Sequence, residues 1–121
     1  MAIALKSPDG TPLTTRDVDA SGINVVRVYG KLSFSGTYTA IADGGDTVDL
    51  TSVSDKLEGS TLLMAIVVNN SGSANRYSFK KGTTLANNTL TIYDSTNTEL
   101  ATGAAYPADS VFVELVVRKL I

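Results

Sequence analysis

Residues 110–121 (SVFVELVVRKLI) alternate with a strict period of two. Val111, Val113, Leu115 and Val117 fall on one side of an extended backbone, and Phe112, Glu114, Val116 and Arg118 fall on the other. The first side is wholly apolar and the second is mixed. A strand of this kind needs cover over all of one face and part of the other, which places it inside a sheet rather than at a solvated margin.

The remainder of the chain offers that cover as further strands. Residues 23–34 (INVVRVYGKLSF) put Val26, Val28, Leu32 and Phe34 on one face, and Gly30 among them marks a bulge or a bend between sheets. Residues 47–53 alternate with Val48 and Leu50 inward. Residues 61–69 (TLLMAIVVN) form the most hydrophobic run and read as a buried strand with Leu63, Ala65 and Val67 inward. Tyr77 and Phe79 share a face within 75–81, Leu90 and Ile92 mark 89–93, and Leu100 lies in a short return strand after a turn at 94–98. Between these runs stand turn sequences such as Ser35-Gly36, Asp43-Gly44-Gly45-Asp46 and Asn70-Ser71-Gly72. Residues 54–60 are polar and fit a single helical turn. The pattern predicts an all-β fold, an antiparallel β-sandwich or barrel of 7–9 short strands in a single domain.

Within that fold, residues 21–121 form the β-sandwich domain, and residues 1–20 stand apart as an N-terminal arm or hairpin. Ile3, Leu5 and Leu13 are among its large apolar residues. They find burial either in a hairpin on the chain's own surface or in a neighbour's sheet edge by strand addition, and on the second reading they are the candidate partner-binding residues.

Composition narrows the function mainly by exclusion. With 121 residues the chain can bury its own core without staples, and with no Cys it has no disulfides to use. It also has no His, so the commonest general base and the commonest transition-metal ligand are both missing. No glycine-rich phosphate loop opens a helix, and no enzyme, cofactor or structural zinc site is expected. The net charge of −2 gives no basic face for nucleic acid or an anionic membrane, and no apolar run reaches the length of a membrane span. Charged residues make up only 18% of the chain, against roughly a quarter in ordinary soluble domains, so uncharged surface is available for contacts.

Three local features carry possible chemistry. Asp43, Asp46 and Asp49 could offer oxygen ligands to calcium, although a hairpin turn whose carboxylates accept backbone N–H bonds accounts for them more simply. Arg76, Lys80 and Lys81 around Tyr77 and Phe79 have the composition of a single-strand nucleic-acid platform, or of an ordinary strand with a solvated basic end. Tyr29, Tyr38, Tyr77, Tyr93 and Tyr106 could stack on sugars or anchor an interface if exposed, and would cap the core if not.

The run from Tyr38 through Gly44-Gly45-Asp46-Thr47-Val48-Asp49-Leu50 is followed by Asn88-Thr89-Leu90-Thr91-Ile92-Tyr93, by Glu99-Leu100-Ala101-Thr102-Gly103 and by a terminal strand rich in Val and Leu. Together these resemble a group of small all-β tailed-phage virion proteins, described as capsid decoration (cement) or minor head proteins. The resemblance implies a non-enzymatic structural protein, made in the host cytoplasm, that binds the outer face of the phage head and stabilises it. It also implies the major capsid protein as partner, a homo-oligomer (trimer or dimer), and a place on the capsid surface of the virion. Two other roles are compatible with the same residues: a carbohydrate-binding or adhesin domain, and a structural subunit of a tail or fibre.

Overall fold

The computed structural model describes residues 3–22, 24–51 and 59–119. Its strands are β1 (Ile3–Lys6), β2 (Val18–Asp19), β3 (Val25–Phe34), β4 (Asp46–Asp49), β5 (Gly59–Asn69), β6 (Arg76–Lys80), β7 (Asn88–Tyr93) and β8 (Val111–Lys119). The fold is all-β, as the alternation predicts. One eight-stranded sheet runs β5-β8-β3-β1-β4-β7-β6, with β2 beside β3, and curls until it is nearly a barrel. Pairing is antiparallel except between β1 and β4, which run parallel with Ile3 opposite Val48. The helical turn expected over 54–60 falls mostly outside the described residues, and Gly59 and Ser60 already belong to β5.

The terminal strand takes the central place its pattern requires. β8 pairs with β3 from Val25↔Arg118 to Leu32↔Val111, and with β5 on its other edge. Val111, Val113, Leu115 and Val117 face the interior together with Val26, Val28, Leu32, Val48, Leu50, Leu90 and Ile92. Residues 3–20 complete this interior. β1 and β2 lie end to end along the edge of β3 that β8 leaves open, and β1 joins β3 to β4. Ile3, Leu5 and Leu13 are 2%, 6% and 6% exposed. In this conformation their side chains fill the chain's own core, and the segment is a strand within the sheet rather than a surface hairpin.

Gly30 also departs from expectation. The β3–β8 register is unbroken through Gly30↔Val113, so no bulge lies there. The glycine is needed instead because β1 passes so close: a Cβ would stand 2.6 Å from Leu5 Cδ1 and 2.7 Å from the Lys6 carbonyl oxygen. The bulges are in β5, where the pairing with β8 shifts between Gly59 and Thr61 and again between Leu62 and Met64. The second shift turns Leu62 inward and Leu63 outward, so Leu63 is not a core residue as alternation alone suggests.

Polar groups inside the sheet are matched. Asn88, wholly buried at the start of β7, donates from Nδ2 to the carbonyls of Leu85 (2.9 Å) and Val48 (3.3 Å) and accepts from Gly82 N–H (3.0 Å). It thereby ties the 82–88 loop to the barrel floor, since a buried amide left without partners would cost about 1–3 kcal/mol.

Candidate protein-binding face

Among the described residues, most of the exposed large apolar side chains lie on the outside of β5, β8 and β3. In register, Met64, Ile66 and Val68 of β5 stand beside Val116, Glu114 and Phe112 of β8, which stand beside Arg27, Tyr29 and Lys31 of β3. β5 contributes a column with no charge and no proline: Met64 is 50% exposed, Ile66 43% and Val68 50%. Tyr29 continues the apolar surface two strands away, and Arg27 and Glu114 approach to 3.7 Å within it. A shallow pocket of about 260 Å³ opens at one end, walled by Pro8, Tyr29, Ile66, Val68 and Phe112. Its wall is almost entirely hydrocarbon, with Glu114 as the charged group on its rim. The face can bury apolar surface against another protein.

The chain ran out of interior for this face. The bulge before Met64 fixes which residues of β5 point outward, and among the described residues no strand pairs with the second edge of β5. β6 is the other end of the sheet and follows β5 in sequence; among the described residues it approaches β5 without forming a ladder with it, and Asn69 Nδ2 donates to the Asn75 carbonyl at 2.9 Å. Ala65 and Val67 on the inner side of β5, and Tyr77 and Phe79 on β6, consequently remain half-buried along the seam.

The chemically suggestive residues have structural employment. Asp46 accepts from Thr39 N–H at 3.0 Å and from the Tyr106 hydroxyl, Asp49 accepts from Thr51, and Asp43 accepts from the Thr102 hydroxyl. Among the described residues no group of three or more acidic, His or Cys side chains converges as a metal site. On β6 the strand period sends Arg76 and Lys80 outward and Tyr77 and Phe79 inward, so basic and aromatic groups occupy opposite faces and make no common platform. Arg76 instead covers the Tyr93 ring, 4.8 Å from its centroid.

Three of the five tyrosines point inward to carboxylates. Tyr38 donates to Glu99 at 2.6 Å, Tyr77 to Asp109 at 2.7 Å, and Tyr106 to Asp46. Burial, reinforced by the neighbouring carboxylate, pushes all three phenols far above their ordinary range, so they remain neutral donors. Asp109 experiences the opposite balance. Burial acts to raise its pKa, but bonds from Asn75, Tyr77 and Ser73 outweigh that and hold it below the usual carboxylate value.

Of the residues singled out in the sequence, Tyr29 alone of the tyrosines joins the exposed face, and Ile3, Leu5 and Leu13 do not. The face was missed because 61–69 reads as buried on both sides. Its one distinguishing signal is that a strand with apolar residues at every position from Leu62 to Val68 has two apolar faces, of which a single-layered barrel can bury only one.

What fold and face define is a small, nearly closed β-barrel with an uncovered apolar flank. Compared with protein-family models, with curated proteins and with solved structures, the chain matches none.

Proposed function

We propose that this chain is a non-enzymatic structural protein of the virion, a decoration protein that holds to the outer face of a tailed-phage head and stabilises it. The observation that carries the protein-binding part is the uncharged outer column Met64, Ile66 and Val68, with the Tyr29 pocket beside it. Such a surface gains roughly 25 cal/mol for each Å² of apolar area removed from water. The curled sheet behind it, with its buried polar groups matched, supplies a rigid support that loses little entropy on docking. The phage head as the place of docking comes from the resemblance of the 38–50, 88–93 and 99–103 patterns to small virion proteins. With the N-terminal segment folded into the barrel, the head contact moves from Ile3, Leu5 and Leu13 to the Tyr29–Phe112 pocket.

The test is co-sedimentation with tailed-phage heads stripped of their surface proteins. Saturable binding that raises the temperature at which the heads rupture supports the role, and Tyr29→Ala should weaken it. A protein that stays in the supernatant at every ratio removes the assignment to the head.

A further inference from the structure

We infer that Lys6 and Lys31 bind a carboxylate of the partner protein, so that this flank selects a surface on which an acidic side chain stands about 10 Å from an apolar one. The inference rests on the reading of the flank as a protein contact and gives that partner its chemistry, but it is independent of the phage head.

The sheet register brings the two lysines together. In the β1–β3 ladder Lys6 lies directly opposite Lys31. Their neighbours Leu5 and Leu32 point into the core, so both lysines point outward. Side chains paired in this way have Cβ atoms about 4.5–5.5 Å apart, and like charges so placed repel. Both lysines are half-buried, which leaves their repulsion less screened than that of free surface charges. Among the described residues neither has an ion-pair partner. The acids around them are already engaged. Glu114 lies 3.7 Å from Arg27, Asp9 accepts from Thr11 N–H at 3.0 Å, and Asp17 accepts from the Ser7 hydroxyl at 3.0 Å. Asp109 accepts from Asn75 at 2.9 Å and from Tyr77 at 2.7 Å.

The lysines open into a concavity of about 370 Å³, walled also by Gly10, Ser33, Pro107 and Asp109. It adjoins the Tyr29–Phe112 pocket. The 7–10 turn stands between them, with Pro8 on the apolar side and Gly10 on the basic side, and along β3 the first pocket takes Gly30 and the second Lys31. About three residues of β3, a distance of roughly 10 Å, separate the two.

This juxtaposition chooses the occupant. Paired ammonium groups hold an anion, and the hydrocarbon pocket beside them holds an apolar side chain. A free inorganic anion would use only the lysines, and an uncharged surface only the pocket. Phosphate sites gather arginine forks or the N–H groups of a helix N-terminus, and the described walls of the concavity contain neither. Asp109 on the same wall also weighs more heavily against a doubly charged phosphate than against a single carboxylate. A protein segment bearing one acidic and one apolar side chain uses both halves.

Nuclear magnetic resonance titration of the full-length ¹⁵N-labelled protein, without any phage component, tests the assignment. The probe is an end-capped peptide Leu-Gly-Glu-Glu, compared with Leu-Gly-Gln-Gln and with inorganic phosphate. The acidic peptide should shift the amides of Lys31 and Ser33 together with those of Tyr29 and Phe112, with a dissociation constant on the order of millimolar. The glutamine peptide should bind on the order of fivefold more weakly, and high salt should erase the difference. Lys6→Gln and Lys31→Gln should each weaken the acidic peptide by a similar factor. Each should also raise the melting temperature of the free protein by about 1–5 °C, because each removes the repulsion. Equal binding of the two peptides, or no shift with either, overturns the inference. So does phosphate that saturates the same amides at lower concentration than the peptide, which would make this a site for free anions. A melting temperature that falls in both variants overturns it as well, since the lysines would then have carboxylate partners within the chain. Stripped heads bound undiminished by the double variant would keep the decoration role and remove this inference. Acidic peptide bound by a protein that ignores the heads would do the reverse.

Discussion

Replacing Gly30 with alanine sets two opposing effects against each other, and the structure decides the sign. Gly30 is not among the glycines with positive φ, so alanine can adopt its backbone. The loss of freedom in the unfolded chain would by itself stabilise the protein by about 0.4–1 kcal/mol. Against this, the new Cβ would lie 2.6 Å from Leu5 Cδ1 and 2.7 Å from the Lys6 carbonyl oxygen, about 1 Å inside an ordinary contact of about 3.5–4.0 Å. The leucine methyl can swing aside. The carbonyl belongs to Lys6, whose pairing with Lys31 closes the β1–β3 ladder next to Gly30, so it can retreat only by loosening the end of that ladder. Overpacking of this kind costs about 1–3 kcal/mol, and with a backbone oxygen as the obstacle the upper half of that range applies, leaving a net loss of about 1–2.5 kcal/mol. For a chain of this size that is a fall in Tm of about 4–8 °C. A thermal melt measures it, and hydrogen exchange should show the β1 amides accelerated while those of β8 are unchanged. A rise in Tm would refute the close approach of β1, because it is what chain entropy alone would give.

Other outcomes follow from the same contacts. Leu62→Ala should cost about 2–5 kcal/mol and Leu63→Ala under about 1 kcal/mol, because the bulge buries only the first; equal losses by denaturant titration would place the bulge elsewhere. Removing residues 1–20 takes three buried side chains worth about 1.5–3 kcal/mol each, a sum comparable to a whole domain's stability, so the truncated chain should show no cooperative melt. A well-folded truncation would mean that the segment is an appendage. Asp109 is held below its ordinary value, so its contribution is complete above the unfolded pKa and is lost as pH falls through the folded one. Melting temperature should therefore hold from neutral pH to about pH 4 and fall below it, with Asp109→Asn flattening that acid limb. An acid limb unchanged in the variant would assign the loss to other carboxylates.

Much of the sheet could be read from side-chain period, and what could not has identifiable physical reasons. Val111 to Val117 announce a central strand because each alternate residue is apolar, and nothing distant is needed to interpret them. In 61–69 the period is silent, since every position from Leu62 to Val68 is apolar, and a one-residue bulge chooses the face. Gly30 shows that a glycine in a strand has two explanations, a bend in its own chain or a neighbour pressed against it, and only the neighbour's position separates them. The candidate face was harder still. Exposure is a property of what fails to cover a strand, and the unpaired edge of β5 depends on where β6 goes. The inward tyrosines were ambiguous for the same reason: Tyr38 and Tyr29 are alike in sequence, but one meets Glu99 and the other meets solvent.

The parallel pairing of β1 with β4 has a consequence for how the molecule comes into being. β5, β8 and β3 form one half of the sheet, β4, β7 and β6 the other, and within the ladder four residues at the start of the chain are the splice between them. Those residues are made before β3 and β4, yet they have nothing to splice until both have been made. Assembly must wait for contacts far apart in sequence, the circumstance in which small β proteins fold over milliseconds to seconds rather than microseconds. A bulky fusion placed directly before Ile3 would therefore obstruct the joining of the two halves more than any addition beyond β8.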